Sequence, residues 1–425
     1  MPASHGSFMT LSRTARKGAA MPMTIRVPWL HDQHSHASFY ASLIGCPSLA
    51  GQDREQALAT VGALAGDRLS VVFGWHSARV PLAPRELGAL PPAIIVNVSM
   101  HGFALSGTAP DLLESTQPEL VAHWTEPEWC ERNLPHLLEV FSRTAGLTGR
   151  KLDAFMDRIE AQGLGVVDDM LLPGEEAFQV IQRSRWAEHI RCWASPATFA
   201  SLKPATQAAV AGLKFFTDGA LGSRTAGLRG EFLGGETGLL LYRDEALLRA
   251  LGEVHGLGKP VAIHAIGDAA IEQVLNVLER LDRDGVSFPL VRLEHVQFID
   301  RTQARRARDL GLVLSMQPNF NSDSQDYADR LAPAWLEVNN PFRMLIDEAG
   351  FRPGRDLIFG SDGMPHGVEY ALQWSLFPLF PGQCLTTEEL VAGYGVHAEG
   401  MGHTVLEIDA TARRVKLLES CAGNA

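Results

Sequence analysis

Trp29-Leu30-His31-Asp32-Gln33-His34-Ser35-His36 is the stretch from which the rest of the chain is read. Residues two apart on an extended strand project from one face, whereas on a helix they point about 200° apart. His34-x-His36 on a strand therefore aims two imidazoles at one place. Two convergent imidazoles are half of a metal site; the bland alternative is a surface accident or a buried, hydrogen-bonded pair. The pair gains weight because Lys214, His264, His295 and Asp362 recur downstream, each at or just past the end of a short apolar run.

Seven further strand-like runs follow: Gly163–Asp169, His189–Trp193, Ala211–Phe216, Pro260–His264, Leu290–His295, Gly311–Met316 and Asp356–Ser361. Helical segments separate them. The clearest is Asp268–Asp284, where Ile271, Val274, Leu275, Leu278 and Leu281 recur at helical spacing behind Asp268 as N-cap. With the His-x-His strand, read as a single run from Met23 to Gln33, these make eight strand-helix units, the number of an α/β (β/α)8 TIM barrel. An insertion of about residues 66–160 follows the first strand. In it, residues 69–76 and 93–101 read as strands, Thr108–Pro135 as a polar surface excursion and Leu137–Gln162 as a helix; residues 37–65, before it, also read as helical. In a parallel barrel the C-terminal strand ends face the mouth, which is where the candidate ligands fall.

Composition narrows the class. A chain of 425 residues with 46% hydrophobic content has enough apolar side chain for a large globular core. Net charge is 37 − 49 = −12, which argues against a polyanion-binding surface and so against nucleic acid as partner. The five cysteines are scattered, with neither a Cys-x-x-Cys pair nor a disulfide framework, and a reducing cytoplasm fits best. No apolar run approaches the ~18 residues of a membrane span. Residues 1–22, free of acids and rich in Ser, Ala, Arg and Lys, read as a disordered leader.

Each candidate has a structural alternative. Lys214 follows Gly212 by two and points inward with it, so it is either ion-paired to an inward acid such as Asp169 or Asp218, or carboxylated by CO2 into an anion able to bridge two metals. His264 and His295 are either satisfied core histidines or ligands. With His295 inward, Arg292 and Glu294 are expected to face the helix layer. Asp362, in Phe359-Gly-Ser-Asp362-Gly, is either a turn aspartate or a carboxylate that ligates metal and accepts a proton from water. Arg224, His101 and Trp75 are lone candidates with core or surface alternatives.

Taken in order on successive strands, His34-x-His36, Lys214, His264, His295 and Asp362 resemble the amidohydrolase superfamily. Three segments carry the closer resemblance to its amidohydrolase-3 branch, the YtcJ-like and N-substituted formamide deformylase-like proteins. They are Gly212-Leu-Lys-Phe-Phe-Thr-Asp-Gly-Ala-Leu-Gly-Ser-Arg-Thr-Ala226, Ala262-Ile-His-Ala-Ile-Gly-Asp268 and Arg292-Leu-Glu-His295. Phe73-Gly-Trp75 and His101-Gly also resemble that branch's insertion. The resemblance implies a distorted barrel with a binuclear centre of divalent ions, zinc first and Mn, Fe, Co or Ni as alternatives. One ion would sit on His34, His36 and Asp362 and the other on His264 and His295, with carboxylated Lys214 bridging and Asp362 as the catalytic proton shuttle. His101, Arg224 and Trp75 would contact substrate.

Two departures stand out. The family's small β-sandwich lacks its usual closing motif here and is expected to be reduced or absent, with His403–Glu419 as a hairpin remnant in the tail 396–425. Val167-Asp168-Asp169 stands where the branch has His-Asp. The expectation is a cytoplasmic metal-dependent hydrolase cleaving a C–N bond of a small amide, with no nucleic-acid or membrane partner and a homodimer left open. C–C cleavage, decarboxylation or ester hydrolysis on the same centre is the enzymatic alternative, and a metal-binding pseudoenzyme the non-enzymatic one.

Overall fold

The computed structural model describes residues 21–76, 79–396 and 400–423; the expected leader lies, but for Met21 and Pro22, outside them. Among the described residues, eight strands form one sheet in chain order: Leu30–Ser35, Leu164–Asp169, Ile190–Ala194, Gly212–Phe216, Val261–Ala265, Val291–His295, Val313–Met316 and Leu357–Phe359. Every paired neighbour is parallel. The first and last strands close the ring outside a regular ladder. Ser361 N donates to Asp32 Oδ1 at 2.8 Å and Asp362 N to the His34 carbonyl at 2.6 Å. The approach is tight enough that a Cβ on Gly360 would fall 2.2 Å from His34 N. The fold is a nearly closed (β/α)8 barrel.

Alternation along the strands sorts the side chains. Leu213, Phe215, Val261, Ile263 and Leu293 pack outward into one core with the surrounding helices, while Lys214, His264, Arg292 and Glu294 are buried inside the ring. The expectation that Arg292 and Glu294 face the helices is thus corrected. Strand register turns them inward, and His295 joins them because its φ of 71°, followed by 41° at Val296, twists the strand end out of alternation.

The Met23–Gln33 run divides. Leu30–Ser35 enters the barrel, but Met23–Pro28 pairs antiparallel with Gly402–Asp409, which in turn pairs with Arg414–Ala422. This three-stranded sheet places Val27, Leu406, Ile408 and Val415 in the main core. Leu137–Gln162 also divides, into Leu134–Ala145 and Gly149–Glu160, broken where Gly146 adopts φ 74°. The helix Asp268–Arg283 is capped by Gly267 rather than Asp268. The reason is local: a Cβ at Gly267 would lie 2.1 Å from the Gly227 carbonyl, and the Asp268 carboxylate instead accepts Arg229 N at 2.9 Å.

After the first barrel strand and its helix, Ser70–Trp75, Ala93–Asn97 and Phe103–Ser106 form a separate three-stranded sheet, the third strand being unforeseen. Three short helices between residues 109 and 132 follow it and pack into a second core around Phe103, Leu120 and Phe141. Among the described residues no helix is long and apolar enough to cross a membrane.

Candidate metal centre

His34 ends the first strand and His36 caps the short helix Ala37–Ser42, while Asp362 sits past the eighth strand at φ 56°. Asp362 Oδ1 lies 3.0 Å from His36 Nε2 and 3.5 Å from His34 Nε2. One donor atom from each of the three falls within 4.8 Å of the others, and all three residues are buried. Oδ1 has no aligned hydrogen-bond partner. A buried carboxylate oxygen facing two imidazole nitrogens without a proper donor is the arrangement a divalent cation satisfies. Burial alone would raise the Asp362 carboxyl, but the contact with His36 and the surrounding polar and charged groups, Lys214 among them, outweigh it and bring the pKa down to about 2.

Lys214, His264 and His295 complete the ring of donors. Ring centroids of His264 and His295 are 4.5 Å apart, those of His34 and His295 4.7 Å. Three of these imidazoles are oriented by acceptors behind them. His34 Nδ1–H donates to Glu294 Oε2 at 2.5 Å, His264 Nε2–H to the Gly219 carbonyl at 3.0 Å, and His295 Nδ1–H to Gln317 Oε1 at 2.8 Å. A donor on one ring nitrogen leaves a lone pair on the other, which is how outer partners fix a ligand's tautomer. Burial first, then neighbouring cations, holds the pKa of His34 and His295 well below the ordinary imidazole range, so both are neutral.

Lys214 is 1% exposed, with Nζ 3.4 Å from His34 Nε2. Burial lowers its pKa to about 8 against the pull of Glu294 and Asp362. The expected acid partners are not the ones found. Asp218 is spent on the backbone N–H groups of Ile266, Gly227 and Gly267, and Asp169 accepts from Ser38 N.

Arg292 holds this arrangement together from below. Its guanidinium donates to Glu294, to Asp168 Oδ2 at 2.9 Å, to Ser315 Oγ and to the Gln33 carbonyl, and it stacks over Trp193. Asp168, one of the residues standing where the branch has His-Asp, therefore anchors an arginine and, through Oδ1, His31 Nε2 at 2.8 Å. Sequence reading named Glu294 beside Arg292 but set both toward the helices; the two do pair, inside the ring, where Glu294 also orients His34.

Beside the donors lies a cavity of about 200 Å³. His36, Lys214, His264, His295 and Asp362 line it together with Met100, His101, Leu134 and Leu138 from the insertion, and Asp323, Asp326 and Tyr327 from beyond the seventh strand. Burial pushes the Asp323 carboxyl up to about 8, with Gln297 Nε2 donating to it at 2.9 Å. Of the three residues expected at the substrate, His101 lines this cavity, while Arg224 and Trp75 do not. Arg224 turns to Glu236 at 2.6 Å, and the Trp75 indole donates to the Val80 carbonyl within the insertion's own core. His101 Nδ1 is held by Glu131 Oε2 at 2.6 Å. Sequence reading missed Glu131, since a lone acid in a polar stretch gives no signal of burial.

Residues 137–370, more than half of the chain, match the amidohydrolase family model. Over 139 residues, 32% of this chain and 26% of the relative, the sequence is 34% identical to the putative amidohydrolase YtcJ of Bacillus subtilis (strain 168). Over 188 residues, 38% of this chain and 31% of the relative, it is 29% identical to the N-substituted formamide deformylase of Arthrobacter pascens. The matched stretches thus span less than a third of either relative's length. The fold is shared with an uncharacterized metal-dependent hydrolase from Pyrococcus furiosus at TM-score 0.63 and 19% identity, covering 87% of this chain and 81% of that one. The chain belongs to the amidohydrolase family, in its amidohydrolase-3 branch.

Proposed function

We propose that this protein is a metal-dependent hydrolase that cleaves a C–N bond in a small amide or formamide-like molecule. The observation that carries the reading is the convergence of His34, His36 and Asp362 within 4.8 Å, with the neutral His295 and the His264 and Lys214 side chains beside them. His34, His36 and Asp362 would hold one divalent ion, and His264 and His295 a second, with carboxylated Lys214 between. Such ions supply Lewis-acid chemistry, bringing the pKa of water to about 7 and polarising a carbonyl.

The chain's own residues then do the rest. Asp362, an anion at neutral pH, takes the proton of the attacking water and returns it to the departing nitrogen. Met100, Leu134 and Leu138 give the substrate an apolar wall that limits water. A cavity of about 200 Å³ is smaller than the ~300–1,000 Å³ typical of drug-sized ligands, which favours a compact substrate. Five unpaired cysteines favour a reducing cytoplasm as its location.

The test is turnover by the zinc-loaded protein on a panel of N-substituted formamides, small N-acyl amines, lactones and esters, with products identified. Release of an amine together with a carboxylic acid is expected. Turnover confined to lactones and esters, or loss of CO2 without amine release, would replace C–N hydrolysis by the corresponding reaction.

A further inference from the structure

Glu131 is a carboxylate 2% exposed on the short helix Pro127–Arg132, and among the described residues its ion-pair partner is His101. Burying a carboxylate without a lysine or arginine is costly unless each oxygen is satisfied. Both oxygens are. Oε2 accepts His101 Nδ1–H at 2.6 Å, and Oε1 accepts the Thr225 hydroxyl at 2.5 Å and the Ser223 hydroxyl at 3.0 Å. Ser223 and Thr225 belong to the loop that follows the strand bearing Lys214, so this one side chain ties the insertion to the barrel mouth. The loop is shaped to admit it: a Cβ on Gly219 would stand 2.7 Å from Glu131 Oε1 and 2.0 Å from Thr225 Oγ1.

The consequence falls on His101. A carboxylate buried against this ring, with no lysine or arginine paired to it among the described residues, is balanced when His101 is an imidazolium, which carries a proton on both nitrogens. With Nδ1–H committed to Glu131, Nε2–H is the donor left for the cavity that His101 lines, and the ring lies 5.9 Å, centroid to centroid, from that of His264. We propose that Glu131 is a positioning residue that fixes His101 so that its Nε2 donates a hydrogen bond to the substrate's carbonyl oxygen beside the His264 end of the metal centre. The proposal rests on the hydrolase reading and adds to it the group that meets the developing oxyanion. Acting through His101, Glu131 touches no substrate itself. Its effect is to keep a donor in place before the reaction begins, which is where such donors derive their worth.

A double-mutant cycle separates positioning from plain structural support. On the best amide of the panel, Glu131→Gln should lower kcat about 10-fold or more with KM changed little, and His101→Ala by ~10²-fold. In the His101→Ala background, Glu131→Gln should cost less than about two-fold, because the group it acts through has gone. The second readout needs no turnover. In the metal-free protein the His101 Nδ1 proton, assigned by its loss in His101→Ala, should resonate far downfield by NMR and move upfield in Glu131→Gln. Formate added to the zinc-loaded protein should perturb the His101 ring in the wild type but not in Glu131→Gln.

Equal loss with and without His101, or a His101 signal indifferent to Glu131→Gln, overturns the proposal while leaving hydrolysis intact. Absence of turnover on every amide overturns the hydrolase reading instead, and the formate response then decides the positioning role. Should Glu131→Gln fail to fold, Glu131→Asp keeps the charge and is expected to show a smaller kcat loss with the same dependence on His101.

Discussion

Asp362→Asn is expected to reduce turnover by ~10²-fold or more while the protein keeps its fold and at least the ion on the His264 side. Asparagine preserves the volume and one oxygen toward His34 and His36, but it cannot carry a proton at neutral pH. General acid–base assistance is typically worth 10²–10⁴-fold, so the loss should be large and should fall on kcat. The sign of the pH effect follows from the direction of the shift. The carboxyl is held down to about 2, so it is a base through the neutral range and is lost only as pH falls through its own pKa. Activity limited by Asp362 therefore drops on the acid side, and Asp362→Asn should lack that limb. Turnover near wild type in the variant would move the proton-transfer role to another group, with His101 first in line.

Lys214→Ala should lose one or both metal ions and the activity with them, with partial recovery when short carboxylic acids are added. Carboxylation needs the neutral amine, and a pKa of about 8 leaves roughly a tenth of the side chains neutral at pH 7, far more than an ordinary lysine. The same shift has a signature in the metal-free, unmodified protein. Because the folded pKa lies below the ordinary lysine value of about 10.5, the unfolded chain binds the extra proton between these values, so stability rises with pH across that window. The stability of the wild type relative to Lys214→Met should therefore climb by ~3 kcal/mol in all from pH 8 to 10.5, measured by denaturant unfolding. A flat difference, together with undiminished metal content in Lys214→Ala, would make Lys214 a plain ion-pair partner of Glu294 and Asp362.

Much of the barrel was legible because strand signals are local. Short apolar runs carrying His34, Lys214, His264, His295 and Asp362 at or near their ends needed no knowledge of distant pairing; the last four line one cavity, and His34 Nε2 lies 3.5 Å from Asp362 Oδ1. What was not legible depended on contacts far apart in sequence or on backbone angles that composition does not encode. The left-handed φ at His295 brings it into the ring beside Glu294, where simple alternation allows only one of the two. Met23–Pro28 belongs to a sheet whose other strands lie near residue 400, so it read as the start of the barrel strand it precedes. Arg224 sits in the most telling motif yet pairs with Glu236 away from the cavity, and Trp75 serves the insertion's core. Glu131 is the opposite case, a buried acid hidden in a polar stretch, visible only once Thr225 and His101 are brought to it.

The dependence of the site on bound divalent metal is tested most directly by elemental analysis of the purified protein, before and after exhaustive chelation, with turnover followed on the same samples. The donor set is imidazole and carboxylate without thiolate, so the expected result is up to two ions per chain drawn from Zn, Mn, Fe, Co and Ni. Activity should fall with the metal and return when it is restored. Protein that carries no metal and keeps full activity after chelation would contradict the proposed reaction at its centre.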